Sequence, residues 1–304
     1  MNLPRLKLGS AWAGARAAIA AGQLLTLLTN TPAQIQSLGL EPRQCDAWGS
    51  LLPHCILDNG AYELPTHIML IAALLVVASG VLPAVTGPLH VYAALTIQAV
   101  LHTKDGGDQV ALVLSVLMLP ICLADRRIWS WRHTATMPSW TNVSLLAVRI
   151  QVAYIYAEAA ISKMSQPTWQ EGTAYYYWVN GFYFSPEPLI REPVLWLAAL
   201  PPVTLAGSYG AIAFEAILAL SMFLNARLQR RLFIPAVLFH ATIGVVFGIW
   251  SFSIIMTGAL CLLLLAGHED QHPARGPLSH PQRVRLWQRT RGSDEPEPTV
   301  PVRV

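Results

Sequence analysis

Apolar residues are concentrated in eight segments of the chain, and polar residues fill the connections between them. Each segment is long enough, or nearly so, to cross the core of a bilayer as one helix, which takes about twenty residues. The shorter segments indicate a thin bundle or boundaries that are misplaced by a few positions. The pattern predicts an all-α fold, a polytopic transmembrane helical bundle of about eight spans. The predicted spans are Ala11–Thr29, Thr66–Leu82, Pro88–His102, Gln109–Ala124, Ser144–Lys163, Ser208–Leu224, Leu232–Ile249 and Phe252–Gly267.

The composition is that of a membrane protein. Of the 304 residues, 54% are hydrophobic and 12% are charged, whereas about 25% of the residues of soluble domains are charged. The mean hydropathy is +0.44. The formal net charge of +3 says little about nucleic acid, because basic residues in a membrane protein mainly report its orientation. We therefore expect membrane lipid, and no nucleic acid, among the partners.

Basic residues are biased to one side of the predicted bundle. With eight crossings, all the basic clusters fall on the same side, which the positive-inside rule makes cytoplasmic. We expect a multi-pass protein of the cell membrane with both termini cytoplasmic. Its predicted parts are a short N-terminus (1–10), a transmembrane domain (11–267) and a disordered tail rich in Pro, Arg and Glu (268–304). The basic clusters are Arg5 with Lys7, Arg126 to Arg132, Arg227 to Arg231, and Arg275 to Arg291.

Three ionisable residues, Arg149, Glu158 and Lys163, lie on the fifth predicted span. Charged side chains are costly at that depth, so a span that carries three of them is expected to use them. At about 100° per residue, Arg149, Tyr156 and Lys163 form one stripe, and Gln151 and Glu158 form another nearly opposite. One stripe could line a cavity while the other ties the helix to its neighbours.

Lys163 has two interpretations, because it lies near the outer end of its span. Its amine either reaches the membrane interface, as a snorkelling lysine does, or lies in a pocket among the helices. As ion pairs we expect Arg16 or Arg149 with Glu158 or Glu215.

His240 lies within the seventh predicted span and needs a polar partner there. An intramembrane histidine is either a hydrogen-bonded packing residue or an acid-base group. Gly244 and Gly248 follow it at steps of four residues, so a neighbouring helix can approach this face closely.

The longest outer segment, Met164 to Gly207, carries a cluster of aromatic residues. Amphipathic rings of this kind form belts at membrane interfaces, which predicts an interfacial helix lying in the headgroups. The alternative is a lid over a cavity that opens outward. The cluster comprises Trp169, Tyr175, Tyr176, Tyr177, Trp178, Phe182, Tyr183 and Phe184.

Cys45 and Cys55 lie in the first outer loop, where the environment is oxidising. We expect a structural disulfide rather than a redox-active pair, because a catalytic pair is more often C-x-x-C. Cys122 and Cys261 lie inside spans and behave as small apolar residues by default. No Cys and His cluster has the spacing of zinc ligands, so we predict no metal.

An acidic motif, Asp105-Gly106-Gly107-Asp108, precedes the fourth predicted span. Two carboxylates around a flexible diglycine could bind a cation or a basic peptide segment. The favoured alternative is a turn in which Asp108 is the N-cap of the following helix. The motif is therefore either an outer substrate motif or a structural one.

The run from Arg149 to Lys163, followed by Trp169-Gln-Glu-Gly172, resembles the helix and the lysine-tryptophan-glycine signature of the horizontally transferred transmembrane (HTTM) domain. This domain is shared with the vitamin K-dependent gamma-carboxylases. A second match is Phe239-His240 followed by Phe252-Ser-Ile-Ile-Met.

Within this superfamily, Asp105 to Asp108 with the later Asp125-Arg-Arg and the early cysteine-bearing loop look most like the sporulation-delaying protein B family. The resemblance covers about residues 11 to 267. It implies a role in maturing a secreted antimicrobial peptide, together with a small partner protein.

The gamma-carboxylase resemblance implies that Lys163 is the base that works with a quinone or hydroquinone cofactor. Burial of an ammonium group frees an amine near neutrality, which is coherent with that role. Arg149, Trp169 and Gly172 are the candidate residues for holding such a cofactor.

Two functional hypotheses remain. The first is a membrane enzyme that modifies a secreted peptide precursor by proton transfer at an outward-facing cavity. The second is a non-catalytic scaffold or export conduit for that precursor. For the first hypothesis the candidate catalytic residues are Lys163, Tyr156, Glu158 and His240.

Overall fold

The computed structural model describes residues 6–37, 45, 49–57, 63–101, 106–181, 186 and 188–267. Short strands β1 (Lys7–Leu8) and β2 (Ala135–Thr136) pair antiparallel, and two 3-10 turns cover Gly49–Leu51 and Ser221–Phe223. The predicted tail lies outside these residues. The helices are α1 Ser10–Thr29, α2 Pro32–Ser37, α3 Pro53–Leu57, α4 Leu64–Ala78, α5 Pro83–Val100, α6 Gly107–Ala124, α7 Thr141–Met164, α8 Pro167–Gln170, α9 Ala174–Val179, α10 Arg191–Ala198, α11 Pro201–Leu220, α12 Ala226–Phe247 and α13 Trp250–Leu264.

The fold is helical, as the apolar pattern predicted, and each of the eight predicted spans falls mainly on one helix. Five helical stretches are long and apolar enough to cross a membrane, namely α1, α6, α7, α12, and α11 with its following 3-10 turn. Helices α4 and α13 are apolar but shorter. The class of helical membrane protein is therefore confirmed, while the number of eight crossings stays a prediction.

Helices α1 and α13 pack closely at the centre of the bundle, because glycines lie at their contact. A Cβ atom on Gly22 would lie 2.4 Å from Ile255 Cγ1 and 2.8 Å from the Ser251 carbonyl oxygen. A Cβ atom on Gly258 would lie 2.8 Å from the Ala15 carbonyl oxygen. Small residues at such contacts let two helix backbones approach within a membrane, where packing rather than hydrophobicity drives association.

Polar side chains of α1 find partners on α5. The Arg16 guanidinium donates to Thr86 Oγ1 at 3.0 Å, and Gln23 Oε1 lies 3.0 Å from His90 Nε2. All four residues are buried. Buried polar groups cost free energy unless they are hydrogen-bonded, so these contacts fix α1 against α5.

Arg127 ties three connections together at one end of the bundle. It forms a bidentate ion pair with Asp125, with the shorter contact at 2.7 Å, and donates to the carbonyl oxygens of Leu8 and Ser130. The Ser130 hydroxyl donates to the Gly80 carbonyl oxygen. The N-terminal residues, the α4–α5 turn and the α6–α7 connection therefore meet at this end.

The prediction of Asp108 as an N-cap is wrong. Helix α6 begins at Gly107, with Gly106 at the N-cap position in a left-handed conformation (φ +85). Glycine adopts this conformation without a steric penalty, so the helix begins earlier than the sequence analysis placed it. Asp108 lies in the first turn, where its charge is favourable near the positive end of the helix dipole. Asp105 lies outside the described residues.

Replacing Arg127 by Met tests the role of the ion pair. Because the Asp125 side chain is fully buried, the variant leaves a buried carboxylate without its cation, and we expect a loss of about 3–5 kcal/mol of stability. Thermal unfolding of the detergent-solubilised protein measures this loss. The adjacent exposed residue provides the matched control Arg126→Met, and equal melting temperatures of the two variants would contradict the assigned role.

Candidate functional site

A cavity of about 980 Å³ lies between the end of α7, the α8–α9 segment, α11 and α12. Its wall is mainly apolar and aromatic, and Lys163 and Glu215 are its charged residues. The lining residues on α7 to α9 are Ser162, Lys163, Gln166, Thr168, Trp169, Tyr175 and Trp178. Those on α11 to α13 and the connection before α13 are Ala206, Gly207, Gly210, Ala211, Phe214, Glu215, Pro235, Leu238, Phe239, Thr242, Ile243, Val246, Phe247, Ile249 and Phe252.

Lys163 and Glu215 form an ion pair in this wall. Lys163 Nζ lies 2.8 Å from both carboxylate oxygens of Glu215 and also donates to the Ala159 carbonyl oxygen at 3.3 Å. The side chains are 22% and 10% exposed. The amine therefore faces a carboxylate in the cavity wall. Its position relative to the membrane interface, which separates the pocket interpretation from a snorkelling lysine, stays a prediction.

The aromatic rim of the cavity surrounds the lysine. Lys163 Nζ lies 5.3 Å from the centre of the Trp169 ring, within the range of a cation-π contact. Trp169 packs on Trp178, and Trp178 packs edge-on against Phe247 of α12. Burial raises the pKa of the Tyr175 phenol, so this group of the cavity wall stays neutral at physiological pH. The ammonium thus has a carboxylate and the face of an indole ring as neighbours.

The turn between α8 and α9 is docked on α11 through Gly172 and Ser208. The Ser208 hydroxyl donates to the Gly172 carbonyl oxygen and accepts from the Tyr175 amide, both at 3.0 Å. Gly172 has φ +71, and a Cβ atom there would lie 2.5 Å from Leu205 Cδ2. This position requires glycine for both its backbone conformation and its close contact. The docking holds Trp169 and Tyr175 against the cavity.

Tyr156 and His240 lie close together, but they do not line the cavity. Tyr156 Oη is 2.8 Å from His240 Nε2, and each residue is 2% exposed. The Phe252 ring packs on the imidazole ring and is itself part of the cavity wall. His240 Nδ1 has no hydrogen-bond partner within the described part of the chain. The pair therefore ties α7 to α12 one layer behind the wall.

Arg149 and Glu158 lie away from the cavity. Arg149 donates to the Leu263 carbonyl oxygen at 3.0 Å and to Gln229 Oε1 at 2.8 Å, which connects α7 to α13 and α12. Glu158 is exposed and is not a lining residue. The predicted pairing of Glu215 with an arginine is wrong, because its partner is Lys163. The stripe of Arg149, Tyr156 and Lys163 faces the neighbouring helices, and Glu158 lies on the other face, as the spacing predicted.

The aromatic outer segment folds as short helices rather than one. Trp169, Tyr175 and Trp178 line the cavity, while Tyr176 and Tyr177 are 40% and 59% exposed. Phe182, Tyr183 and Phe184 lie outside the described residues. The segment thus forms part of the cavity wall, and its role as a lid stays a prediction.

The other predicted sites lie elsewhere. Gly106 and Gly107 are at the start of α6 and do not line the cavity. Cys45 and Cys55 are joined by a disulfide. Among the described residues, no group of three or more His, Cys, Asp or Glu side chains is arranged to hold a metal ion. Sequence reasoning did not assign Glu215 or Ser208 to the site; the signal available for Glu215 was its position as a carboxylate within an apolar span.

Replacing Gly172 by Ala tests the docking of the α8–α9 turn. A side chain at this φ costs about 1–2 kcal/mol, and the contact with Leu205 adds to the loss, so we expect a lower melting temperature. Gly210→Ala is the matched control, because a Cβ atom there meets nothing within 4 Å. A Gly172→Ala variant as stable as the control would contradict this account.

Replacing Tyr156 by Phe tests the buried contact with His240. The variant leaves a buried ring nitrogen without its partner, and we expect a loss of about 1–3 kcal/mol. Tyr154→Phe is the control, since Tyr154 is 61% exposed on the same helix. Thermal unfolding compares the two, and equal losses would show that the Tyr156 hydroxyl makes no stabilising contact.

Two proteins of Bacillus subtilis (strain 168) are similar to the chain in sequence. The uncharacterized protein YitO is 34% identical over 274 residues, covering 82% of this chain and 83% of YitO. The sporulation-delaying protein SdpB is 33% identical over 214 residues, covering 67% of this chain and 64% of SdpB. No family model and no solved structure matches the chain, so the HTTM assignment stays a prediction. The chain belongs to the same family as YitO, and its identity to SdpB makes it SdpB-like.

Proposed function

We propose that the chain is an eight-span protein of the cell membrane that acts in the production of a secreted antimicrobial peptide, as part of an SdpB-like toxin system. The similarity to SdpB supports the system. The basic clusters support the topology with both termini cytoplasmic. This topology places the N-terminal residues, the α4–α5 turn and the α6–α7 connection on the cytoplasmic side, and the contacts among these three segments also support it. A peptide precursor and a small partner protein are the proposed partners.

The Lys163–Glu215 pair in the wall of the cavity carries this proposal. Ionisable groups within spans are costly, and they commonly mark functional sites. The volume of about 980 Å³ lies at the upper end of the range of about 300–1,000 Å³ for ligand sites. A large, mainly apolar cavity with one charged pair suits an apolar peptide segment that is held by its side chains and oriented by a few polar contacts.

The pair supplies a proton donor and a proton acceptor at one place. Lys163 Nζ donates hydrogen bonds to both oxygens of Glu215, so it acts first as a hydrogen-bond donor and an electrostatic contact. A polar group of a bound peptide that enters between Lys163 and Glu215 would break their contact. Lys163 could then give a proton to that group, or Glu215 could take one from it. Proton transfer to or from the bound peptide is the chemistry that we propose.

The residues do not fit a quinone site as the resemblance assigned it. Of the three candidates, Trp169 lines the cavity, whereas Arg149 binds groups on α12 and α13, and Gly172 packs against Leu205. We therefore derive no step through a quinone.

The alternative function is a non-catalytic scaffold or conduit for the precursor. The observation that favours it is the complete pairing of Lys163, whose amine contacts both oxygens of Glu215. In that case the pair serves to join α7 to α11, and the cavity only holds the peptide.

Three variants separate these functions: Lys163→Met combined with Glu215→Gln, the charge swap Lys163→Glu with Glu215→Lys, and the control Glu192→Gln. The first removes both charges, so no lone charge is buried. Glu192 is an exposed carboxylate of α10. Mass spectrometry of the secreted peptide, with immunoblots for protein abundance, is the measurement.

Because acid-base groups contribute about 100-fold or more, we expect the first two variants to lose the active peptide to that extent at normal abundance, with the control unchanged. Recovery of activity by the charge swap would mean that the pair only holds α7 against α11 and takes no part in the chemistry. Loss of secretion with no change in peptide mass would favour the conduit. Full activity of the doubly neutral variant would contradict any role of the pair.

A further inference from the structure

The two helices that form most of the cavity wall, α11 and α12, pack mainly on other helices. Helix α11 packs on α7, and α12 packs on α13. A ring contact between Phe214 and Phe239, with centres 5.0 Å apart, crosses the gap. Both rings line the cavity, so the space between the helices is a cleft with an aromatic crossing in its wall.

The cleft is open at the lateral surface of the bundle, between the two helices. Gly210, Pro235, Leu238 and Thr242 all line it and are all exposed. Leu238 is 61% exposed and lies in the middle part of α12, far from either end of this candidate span. If α12 spans the membrane, as its length and apolar composition allow, exposure at that depth faces the bilayer rather than water. The cavity therefore opens sideways, between α11 and α12.

Small residues form the α11 side of the cleft. Ala206 and Gly210, and Gly207 with Ala211, repeat at the four-residue step that places residues on one helix face. A Cβ atom on Gly210 would meet nothing within 4 Å. In membranes, small residues at this spacing let a second helix backbone approach closely, which an acyl chain does not require.

The volume of the cleft fits a short piece of helix. A helix about 10 Å across that rises 1.5 Å per residue fills about 980 Å³ with roughly eight residues, or about two turns. The small lining residues of α11, which lie between positions 206 and 211, span a comparable length. An apolar segment of this size would bring its backbone and side chains to the wall that holds Lys163 and Glu215.

We propose that the cleft between α11 and α12 is a lateral entrance that admits an apolar, membrane-embedded peptide helix to the Lys163–Glu215 pair. The identity of that helix as part of the peptide precursor rests on the proposed function. The lateral route itself depends only on the geometry of the cleft.

The test uses the full chain in lipid nanodiscs with a 20-residue Leu-Ala model helix as the probe. A photoreactive benzoylphenylalanine replaces Leu238 in one protein and Ile161 in the other. Ile161 is the matched site, because it is 63% exposed and lies near Lys163 on α7 but outside the cavity lining. We expect the adduct with the probe to be at least about fivefold more abundant at position 238, the ratio that roughly 1 kcal/mol of preferential binding gives.

A second pair of variants blocks the cleft. Gly210→Leu fills the open space on α11 and should reduce the adduct at position 238 to the level at position 161. Ala213→Leu, at an exposed position outside the lining, should leave it unchanged. Melting temperatures confirm that both variants fold.

Equal adducts at the two positions, adducts with lipid alone, or no effect of Gly210→Leu would overturn the proposal. The readout is binding of a model helix, so it does not depend on peptide production. Cross-linking without any effect of the Lys163 and Glu215 variants on the secreted peptide would leave the entrance standing and remove the proposed function. If the Lys163 and Glu215 variants reduce the secreted peptide but the probe is not cross-linked preferentially at position 238, the lateral entrance is wrong and the proposed function stands.

Discussion

The ion pair between Lys163 and Glu215 is the contact on which the arrangement of the site depends. Neither charge is stable alone among apolar helices, so each requires the other, and the pair holds the end of α7 against α11. Two further contacts lie along the same stripe of α7, where Tyr156 meets His240 and Arg149 meets Gln229. Three polar contacts at seven-residue intervals thus set the register of α7 against α11 and α12.

Contacts elsewhere in the bundle also restrain the position of α7 relative to α11 and α12. Arg127 and Asp125 fix the connection before α7 to the N-terminal residues, while close glycine contacts join α1 to α13. Helix α12 packs on α13, and α11 packs on α7. Helices α11 and α12 therefore pack on different neighbours, and this leaves room for a cavity between them.

Much of the fold could be predicted from the sequence, because a membrane-spanning helix is specified by local apolar composition. The boundaries were less certain, since turns depend on single residues. Helix α4 ends before the turn at Gly80, where φ is +74 and a side chain would meet Trp131 from a distant connection. The site was half predictable. Helical spacing put Lys163 on one stripe with Arg149 and Tyr156, but its partner depends on the axial offset between α11 and α7. No local pattern specifies that offset, so the sequence offered Glu215 only as one of two candidate partners for an arginine.

An amine and a carboxylate meet in the bundle, at the wall of the cavity. Magnetic-resonance measurement in bilayers of the distance between ¹⁵N in Lys163 Nζ and ¹³C in the Glu215 carboxylate detects this contact. We expect the short separation of a direct ion pair, with the nitrogen 2.8 Å from each oxygen. A separation too long for a hydrogen bond, with the nitrogen among the lipid headgroups, would contradict it.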